Sequence, residues 1–77
     1  MRITYDPDAN AAYVYLVDEI GVGGAEATIP FYDPESGVEV IVDTDREGKV
    51  VGFELQSARQ QLRRDTLDSA ITPGESS

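Results

Sequence analysis

The chain has 77 residues, enough for one small domain, and 40% of them are hydrophobic, which argues against a disordered protein. It contains no cysteine and no histidine, which excludes disulfides, thiol chemistry and the commonest general base and transition-metal ligand. Fifteen acidic against six basic side chains give a formal charge of −9, which disfavours direct binding to nucleic acid. No apolar run is long enough to cross a membrane and the start lacks a signal-peptide pattern, so we expect a cytoplasmic protein without membrane contact.

The N-terminal part predicts two strands joined by a turn. Residues 1–5 alternate in the period of two that is typical of a half-buried strand, and residues 12–17 are apolar on both faces. Between them, the proline, aspartate and asparagine residues of 6–10 predict a chain reversal. The glycine-rich segment 18–24 predicts a mobile hairpin loop.

The middle of the chain predicts three further strands. Residues 25–31 alternate in polarity, and Pro30 marks either the edge of a sheet or the end of the strand. A turn over 32–37 leads to strands over 38–42 and 49–56. The short polar linker between those two strands predicts a β-hairpin.

A helix is predicted over residues 58–69. Ser57 and Gln60 match a capping box, and the apolar positions form a thin stripe that suits loose packing or a partner. The fold class is therefore α+β: an antiparallel β-meander of four to five strands with one C-terminal helix. We expect a single domain over residues 1–70 and a disordered tail over 71–77.

We expect the chain to assemble into a homodimer, first because of its small size. Apolar burial in so short a chain roughly cancels the conformational entropy lost on folding, and oligomerisation is one usual remedy. The alternating strands also present apolar residues on both sheet faces, whereas one helix covers only one of them.

The polar linker between the last two strands has the spacing of a calcium loop. Its carboxylates stand at positions 1, 3, 5 and 12, with a glycine at position 6. A helix normally flanks such a loop on each side, whereas strand sequence flanks this one. The alternative is a hairpin turn with solvated carboxylates. The candidate metal ligands are Asp43, Asp45, Glu47 and Glu54.

Catalysis has little support in the sequence. A pair of carboxylates for acid–base work needs pKa values that burial pushes apart, and so small a domain offers little cleft. No serine has a recognisable histidine or lysine partner. We therefore expect no enzymatic activity and no cofactor. The carboxylates considered for this role are Asp6, Asp8, Asp33 and Asp43.

Two pairs of side chains are candidates for binding a partner. Tyr5, Tyr13, Tyr15 and Tyr32 would form a stacking platform if they shared an exposed face, and Tyr13 and Tyr15 do share one face of a strand. Leu62 and Leu67 form the thin stripe of the predicted helix. The alternative for the tyrosines is a core or interface position with a wet hydroxyl.

Three stretches of the chain carry a resemblance to a known family. They are ITYDPDANAAYVYL (3–16), VIVDTD (40–45) and GKVVGFEL (48–55), and they resemble the small bacterial family DUF2283 over about residues 1–58. The chain departs from that family at Asn10, where an aspartate is usual, and in longer segments at 21–24 and 31–37. Asn10 puts any role of that aspartate in doubt here.

The resemblance implies a bacterial, cytoplasmic, single-domain α+β protein with no established activity. Some members of the family look like one half of two-gene modules whose other half resembles a small toxin nuclease. This would suit an acidic partner of a basic toxin. The sequence thus favours a non-catalytic module that binds a basic protein, with a weak calcium-binding hairpin as the alternative.

Overall fold

A computed structural model describes residues 1–21 and 24–71. Residues 22 and 23 of the predicted glycine-rich loop lie outside the described residues. The strands form one five-stranded antiparallel sheet, which confirms the predicted α+β class. They are β1 (Arg2–Asp6), β2 (Ala11–Tyr15), β3 (Ala27–Tyr32), β4 (Glu39–Thr44) and β5 (Val50–Gln56).

The order of the strands in the sheet is β1-β2-β5-β4-β3. The hairpin of β1 and β2 and the meander of β3, β4 and β5 are joined by antiparallel pairing of β2 with β5. After β2 the chain therefore crosses to the far edge of the sheet before it returns. Strands β1 and β3 are the two edge strands.

Aspartate side chains organise the turns. In the turn before β2, Asp6 accepts the backbone N–H groups of Asp8 and Ala9, and in the turn before β5, Asp45 accepts those of Glu47 and Lys49. This confirms the predicted turns, because short carboxylates bond the backbone a few residues ahead. The hairpin predicted between β4 and β5 is present.

In the turn from β3 to β4, an aspartate side chain again accepts hydrogen bonds from residues a few positions ahead. Hydrogen bonds from the Ser36 hydroxyl and the Glu35 backbone N–H lower the pKa of Asp33 below its ordinary value. Gly37 closes this turn with a φ of 79°, a left-handed conformation that glycine adopts without steric cost.

The register gives the sheet an apolar face and a polar face. Side chains directly opposite each other across a pair of strands lie on the same face. The apolar face carries Ile3, Tyr5, Ala12, Val14, Ile29, Phe31, Val40, Val42, Phe53 and Leu55. The polar face carries Arg2, Thr4, Tyr13, Tyr15, Thr28, Pro30, Tyr32, Glu39, Ile41, Asp43, Gly52 and Glu54.

Two short helices, α1 (Ala58–Gln61) and α2 (Arg64–Ser69), pack on the apolar face. Ala58 is completely buried against Ala12 and Leu55. Leu62 and Leu67 pack against this cluster. The core is therefore small and lies where the helices cover β1, β2 and β5.

The prediction of one helix over residues 58–69 is wrong, because the chain is extended at Leu62 and Arg63. The side-chain amide of Gln61 explains the break. It accepts the N–H of Glu39 and donates to the carbonyls of Glu39 and Gln56, which ties the end of α1 to the ends of β4 and β5.

The predicted capping box at Ser57 is also wrong. Ser57 has a φ of 52° and makes no side-chain cap bond. Asn10, in the turn between β1 and β2, replaces it: its carbonyl accepts the N–H of Ala58 and its side-chain oxygen accepts that of Arg59, both at 2.9 Å. Its amide group donates to Gln60 at 2.9 Å.

Beyond α2 the chain returns to the sheet. Ile71 forms a parallel bridge with Thr4 and exchanges hydrogen bonds with Ile3 and Tyr5, so it lies along the outer edge of β1. Ile71 is the first residue of the predicted tail, and residues 72–77 lie outside the described residues. Neither helix in the described ranges has the length and apolar character needed to cross a membrane.

Candidate functional site

The polar face of the sheet is the candidate binding surface. Both helices pack on the opposite face, so within residues 1–21 and 24–71 no helix covers it. Three of the four tyrosines lie on this face together with the carboxylates of Glu39, Asp43 and Glu54. Sequence alternation places them there, because strand residues two apart point to the same side.

A hydrogen-bond network crosses the middle of this face. The Tyr13 hydroxyl donates to Asp43 Oδ2 at 2.6 Å, and the Thr28 hydroxyl donates to Asp43 Oδ1 at 3.1 Å. Asp43 is only 9% exposed, and both of its oxygens have donors. The network joins strands β2, β4 and β3, so its first effect is to hold three strands in register.

Gly52 makes the contact between Tyr13 and Asp43 possible. It lies on β5, directly opposite Asp43 and between the two strands that the Tyr13 side chain spans. A Cβ atom at this position would lie 2.5 Å from Cε1 of Tyr13. A glycine within a strand is the sequence signal that indicates such a close approach.

The environment changes the acidity of Tyr13. Burial, the hydrogen bond to Asp43 and the charge of that carboxylate raise the pKa of Tyr13 above its ordinary value. The phenol therefore stays neutral throughout the physiological pH range. In this geometry the Tyr13 hydroxyl is a hydrogen-bond donor to Asp43.

Tyr15 makes a cation–π contact with Arg2 of the same chain. The guanidinium carbon of Arg2 lies 4.0 Å from the centroid of the Tyr15 ring, and the ring is 4.6 Å from that of Tyr13. Arg2 also donates to the carbonyl of Asp18 at 3.0 Å. A cation over an aromatic ring is favourable, so the polar face is chemically suited to guanidinium groups.

A second tyrosine and a carboxylate lie at the open end of the same face. Tyr32 of β3 stands directly opposite Glu39 of β4, and both side chains are exposed. They border a groove of about 450 Å³ at the end of the sheet, which Val38, Gln56 and Gln61 also line. The sequence offered Tyr32 only as one of four tyrosines for a stacking platform and did not offer Glu39, because their pairing depends on the register of two strands.

The structure separates the two predicted partner-binding pairs. Tyr13 and Tyr15 lie half-buried on the polar face. Leu62 and Leu67 lie on the other side of the sheet, packed against the core. Their part in partner binding stays a prediction, but the four residues do not form one surface.

The four predicted calcium ligands do not converge. Asp43 is engaged with Tyr13 and Thr28, and Asp45 Oδ1 accepts two backbone N–H groups of its own turn. Glu54 accepts a bond from Gln56 and lies on the polar face. The described part of the chain brings no three acidic side chains together in a way that suits a metal ion. The predicted calcium site therefore has no support from the geometry of the described residues.

A second groove, of about 660 Å³, lies between the helices and β1. Tyr5, Leu62 and Leu67 line its apolar part, and Arg59 and Arg64 stand at its side. Arg63 points elsewhere, to an exposed ion pair with Asp65 at 3.6 Å. Arg59 and Arg64 therefore line this groove, whereas Arg63 does not.

Comparison with known proteins gives a single finding. Neither the curated proteins nor the solved structures contain a match to the chain. The model of a family described as "Protein of unknown function (DUF2283)" matches residues 2–59, which include all five strands and the start of α1. The match confirms the resemblance noted from the sequence, and the chain belongs to the DUF2283 family.

Proposed function

We propose that the protein is a non-catalytic interaction module whose polar face binds an arginine-rich segment of a basic partner protein. The observation that carries the proposal is the exposed pair of Tyr32 and Glu39 beside an open groove. A ring and a carboxylate side by side can stack on a guanidinium and accept its hydrogen bonds.

Charge supports the same class of partner. The chain carries a formal charge of −9, so a basic protein is attracted from a distance and associates faster. The Arg2 guanidinium over Tyr15 shows the type of contact that a partner's arginine would make with Tyr32. In its specific form the role is antitoxin-like: the bound partner is a basic protein whose activity is blocked in the complex.

An alternating Arg-Gly peptide is the probe that tests the site. Titration into ¹⁵N-labelled protein should shift the amides of Tyr32, Glu39 and their neighbours on the polar face. Glu39→Gln should weaken binding about two- to fivefold, the scale of one exposed ion pair. Tyr32→Ala should weaken it by a similar factor through the lost stacking. The same peptide with lysine in place of arginine should bind less tightly, because lysine stacks less well.

Glu47→Gln is the matched control. It removes the same charge from the turn between β4 and β5, away from the Tyr32 and Glu39 pair. The comparison is made near physiological salt, where charges further apart than about 8 Å are largely screened. Equal weakening by Glu39→Gln and Glu47→Gln would mean that the peptide senses only the overall charge, and the site would be rejected.

A further inference from the structure

Half of the apolar face is uncovered. Ile29, Phe31 and Val38 are 53%, 57% and 41% exposed, although their alternation places them on the side that holds the core. They continue into the half-buried Val40 and Val42. We call these five residues the β3–β4 apolar patch.

The helices do not cover the β3 side of this patch, although Val40 packs against the core cluster and Gln61 of α1 is hydrogen-bonded to the backbone of Glu39. They have four and six residues, and the buried cluster beneath them consists of Ala12, Leu55 and Ala58. Every residue of β3 is exposed. The sheet therefore extends beyond its own helical layer by about one strand.

The core of a single chain is correspondingly small. Within the described ranges, the buried hydrophobic residues are Ala12, Val51, Leu55 and Ala58, and no large side chain is completely buried. The molecule is only 19 Å thick against 36 and 33 Å in its other dimensions. A domain of this size commonly needs another stabilising element, and a second layer on the open apolar patch would supply it.

The patch carries no charge, although 27% of the residues in the chain are charged. Each position that points to this side between Ile29 and Val42 is apolar apart from the turn residues. The β3–β4 apolar patch has no carboxylate that a basic partner could bind. A second copy of the chain, with the same charge-free patch, would keep its acidic side chains at the rim of the contact.

Pairing through the edge of β3 is disfavoured. Asp33 donates its N–H to Val38 across the β3–β4 pair, and N–H directions alternate along a strand. Pro30 thus occupies a position whose N–H would point to the open edge, and proline has none. An added strand would lose a hydrogen bond there, which favours contact through the face.

From these observations we propose that the β3–β4 apolar patch packs against the same patch of a second copy, related by a two-fold axis. Phe31 and Ile29 form the centre of the contact, and each chain completes the core of the other. The polar face of each chain stays free. Because Val38 of the patch also lines the groove beside Tyr32 and Glu39, the two contacts share one residue, and their opposite dependence on salt distinguishes them.

Sedimentation equilibrium of the full chain tests this arrangement. The wild type should have the mass of two 8.4 kDa chains, and Phe31→Glu should have the mass of one. Tyr32→Glu is the matched control, because it adds the same charge to the next residue of β3 on the opposite face. It should stay dimeric. A monomeric wild type, or equal masses for the two variants, would overturn the proposal.

A measurement on the wild type covers the case in which Phe31→Glu does not fold. In a mixture of ¹³C-labelled and unlabelled chains, intermolecular NOEs should connect the methyl groups of Ile29 and Val38 with the Phe31 ring. NOEs confined to other residues would contradict the contact.

Salt distinguishes this contact from binding of a basic partner. Because both chains carry the same charge, raising the salt concentration from about 20 mM to about 500 mM screens their repulsion and should tighten the dimer several-fold. Binding of the Arg-Gly peptide should weaken over the same range. A dimer that dissociates on addition of salt would be held by ion pairs, and the apolar contact would be rejected.

Discussion

The Tyr13 hydroxyl passes over Gly52 and donates a 2.6 Å hydrogen bond to Asp43, 30 residues further along the chain and two strands away. The contact satisfies a carboxylate that is nearly inaccessible to solvent. It also places β2 and β4 at a defined separation on either side of β5. The Tyr13 hydroxyl therefore adds to the stability and to the register of the centre of the sheet.

Removal of that hydroxyl should be costly. Tyr13→Phe leaves Asp43 Oδ2 buried without its donor, and we expect the free energy of unfolding to fall by about 1–3 kcal/mol. Urea denaturation measures the change. Tyr15→Phe removes the same atom from the same face, where the described contacts include no hydrogen bond to it, and should change stability by less than about 0.5 kcal/mol. Equal effects would show that the Asp43 bond contributes nothing.

Gly52 and Tyr13 should be energetically coupled. Gly52→Ala forces the Tyr13 ring away from Asp43, because the new methyl group would lie 2.5 Å from the ring. Once that contact is broken, Tyr13→Phe should add little further loss. A double-mutant cycle measures this, and we expect a coupling of about 1 kcal/mol or more. Additive losses would contradict the close approach.

Stability should decrease at alkaline pH through Tyr13. Its pKa is raised in the folded state, so the native protein favours the neutral phenol. The stabilisation is complete below the unfolded pKa of about 10 and is lost as pH rises through the folded value. Urea midpoints measured from pH 8 upward should fall more steeply for the wild type than for Tyr13→Phe. Parallel curves would contradict the assignment.

Asn10 should control the position of α1. Asn10→Ala removes the acceptor of the Arg59 N–H and the donor to Gln60, and should cost about 1–2 kcal/mol. Asn10→Asp keeps the acceptor and should cost less. Amide exchange of Arg59 is the specific measurement, since it should accelerate in the alanine variant and stay slow in the aspartate variant.

The role of Asn10 also bears on the aspartate that the resemblance to the family leads us to expect at this position. An aspartate could cap the helix in the same way, because its carboxylate also accepts backbone N–H groups. The side chain at position 10 therefore has a structural role, which is to cap α1. If the Arg59 amide exchanges at the same rate in Asn10→Ala and Asn10→Asp, the side-chain oxygen at position 10 does not protect it, and the proposed cap is rejected.

Calcium should not bind at the turn between β4 and β5. The oxygens of Asp43 and one oxygen of Asp45 are already hydrogen-bonded, and no three carboxylates converge among the residues described. An amide titration with millimolar calcium should give no saturable shift of Asp45 or Glu47. A saturable shift that Asp45→Asn abolishes would establish the site after all. Magnesium serves as the control for a general charge effect.

The strands and turns were predictable because their signals are local. The alternation of side chains in Val38–Val42 and Val50–Gln56 follows directly from the period of a strand. The turns at Asp33 and Asp45 need only a short carboxylate and a glycine within a few residues. Neither the strands nor the turns depend on residues that are far away in the sequence.

The candidate site was only partly predictable. Tyr13 and Tyr15 were expected to share a face, and they do. Their neighbours on that face could not be foreseen, because β5 and not β3 lies beside β2. The strand order brings Asp43 within reach of Tyr13, and the register of β3 against β4 brings Tyr32 opposite Glu39.

What the sequence determined by itself is the set of strands, the turns between them, the strong negative charge and the membership of a family. Tertiary structure decided the order of the strands, the break between α1 and α2, the cap supplied by Asn10, and which half of the apolar face is left open. The physical reason is the range of the interactions. Alternation and turns depend on neighbouring residues, whereas Gln61, Asn10 and Asp43 act on groups that only the folded chain brings near them.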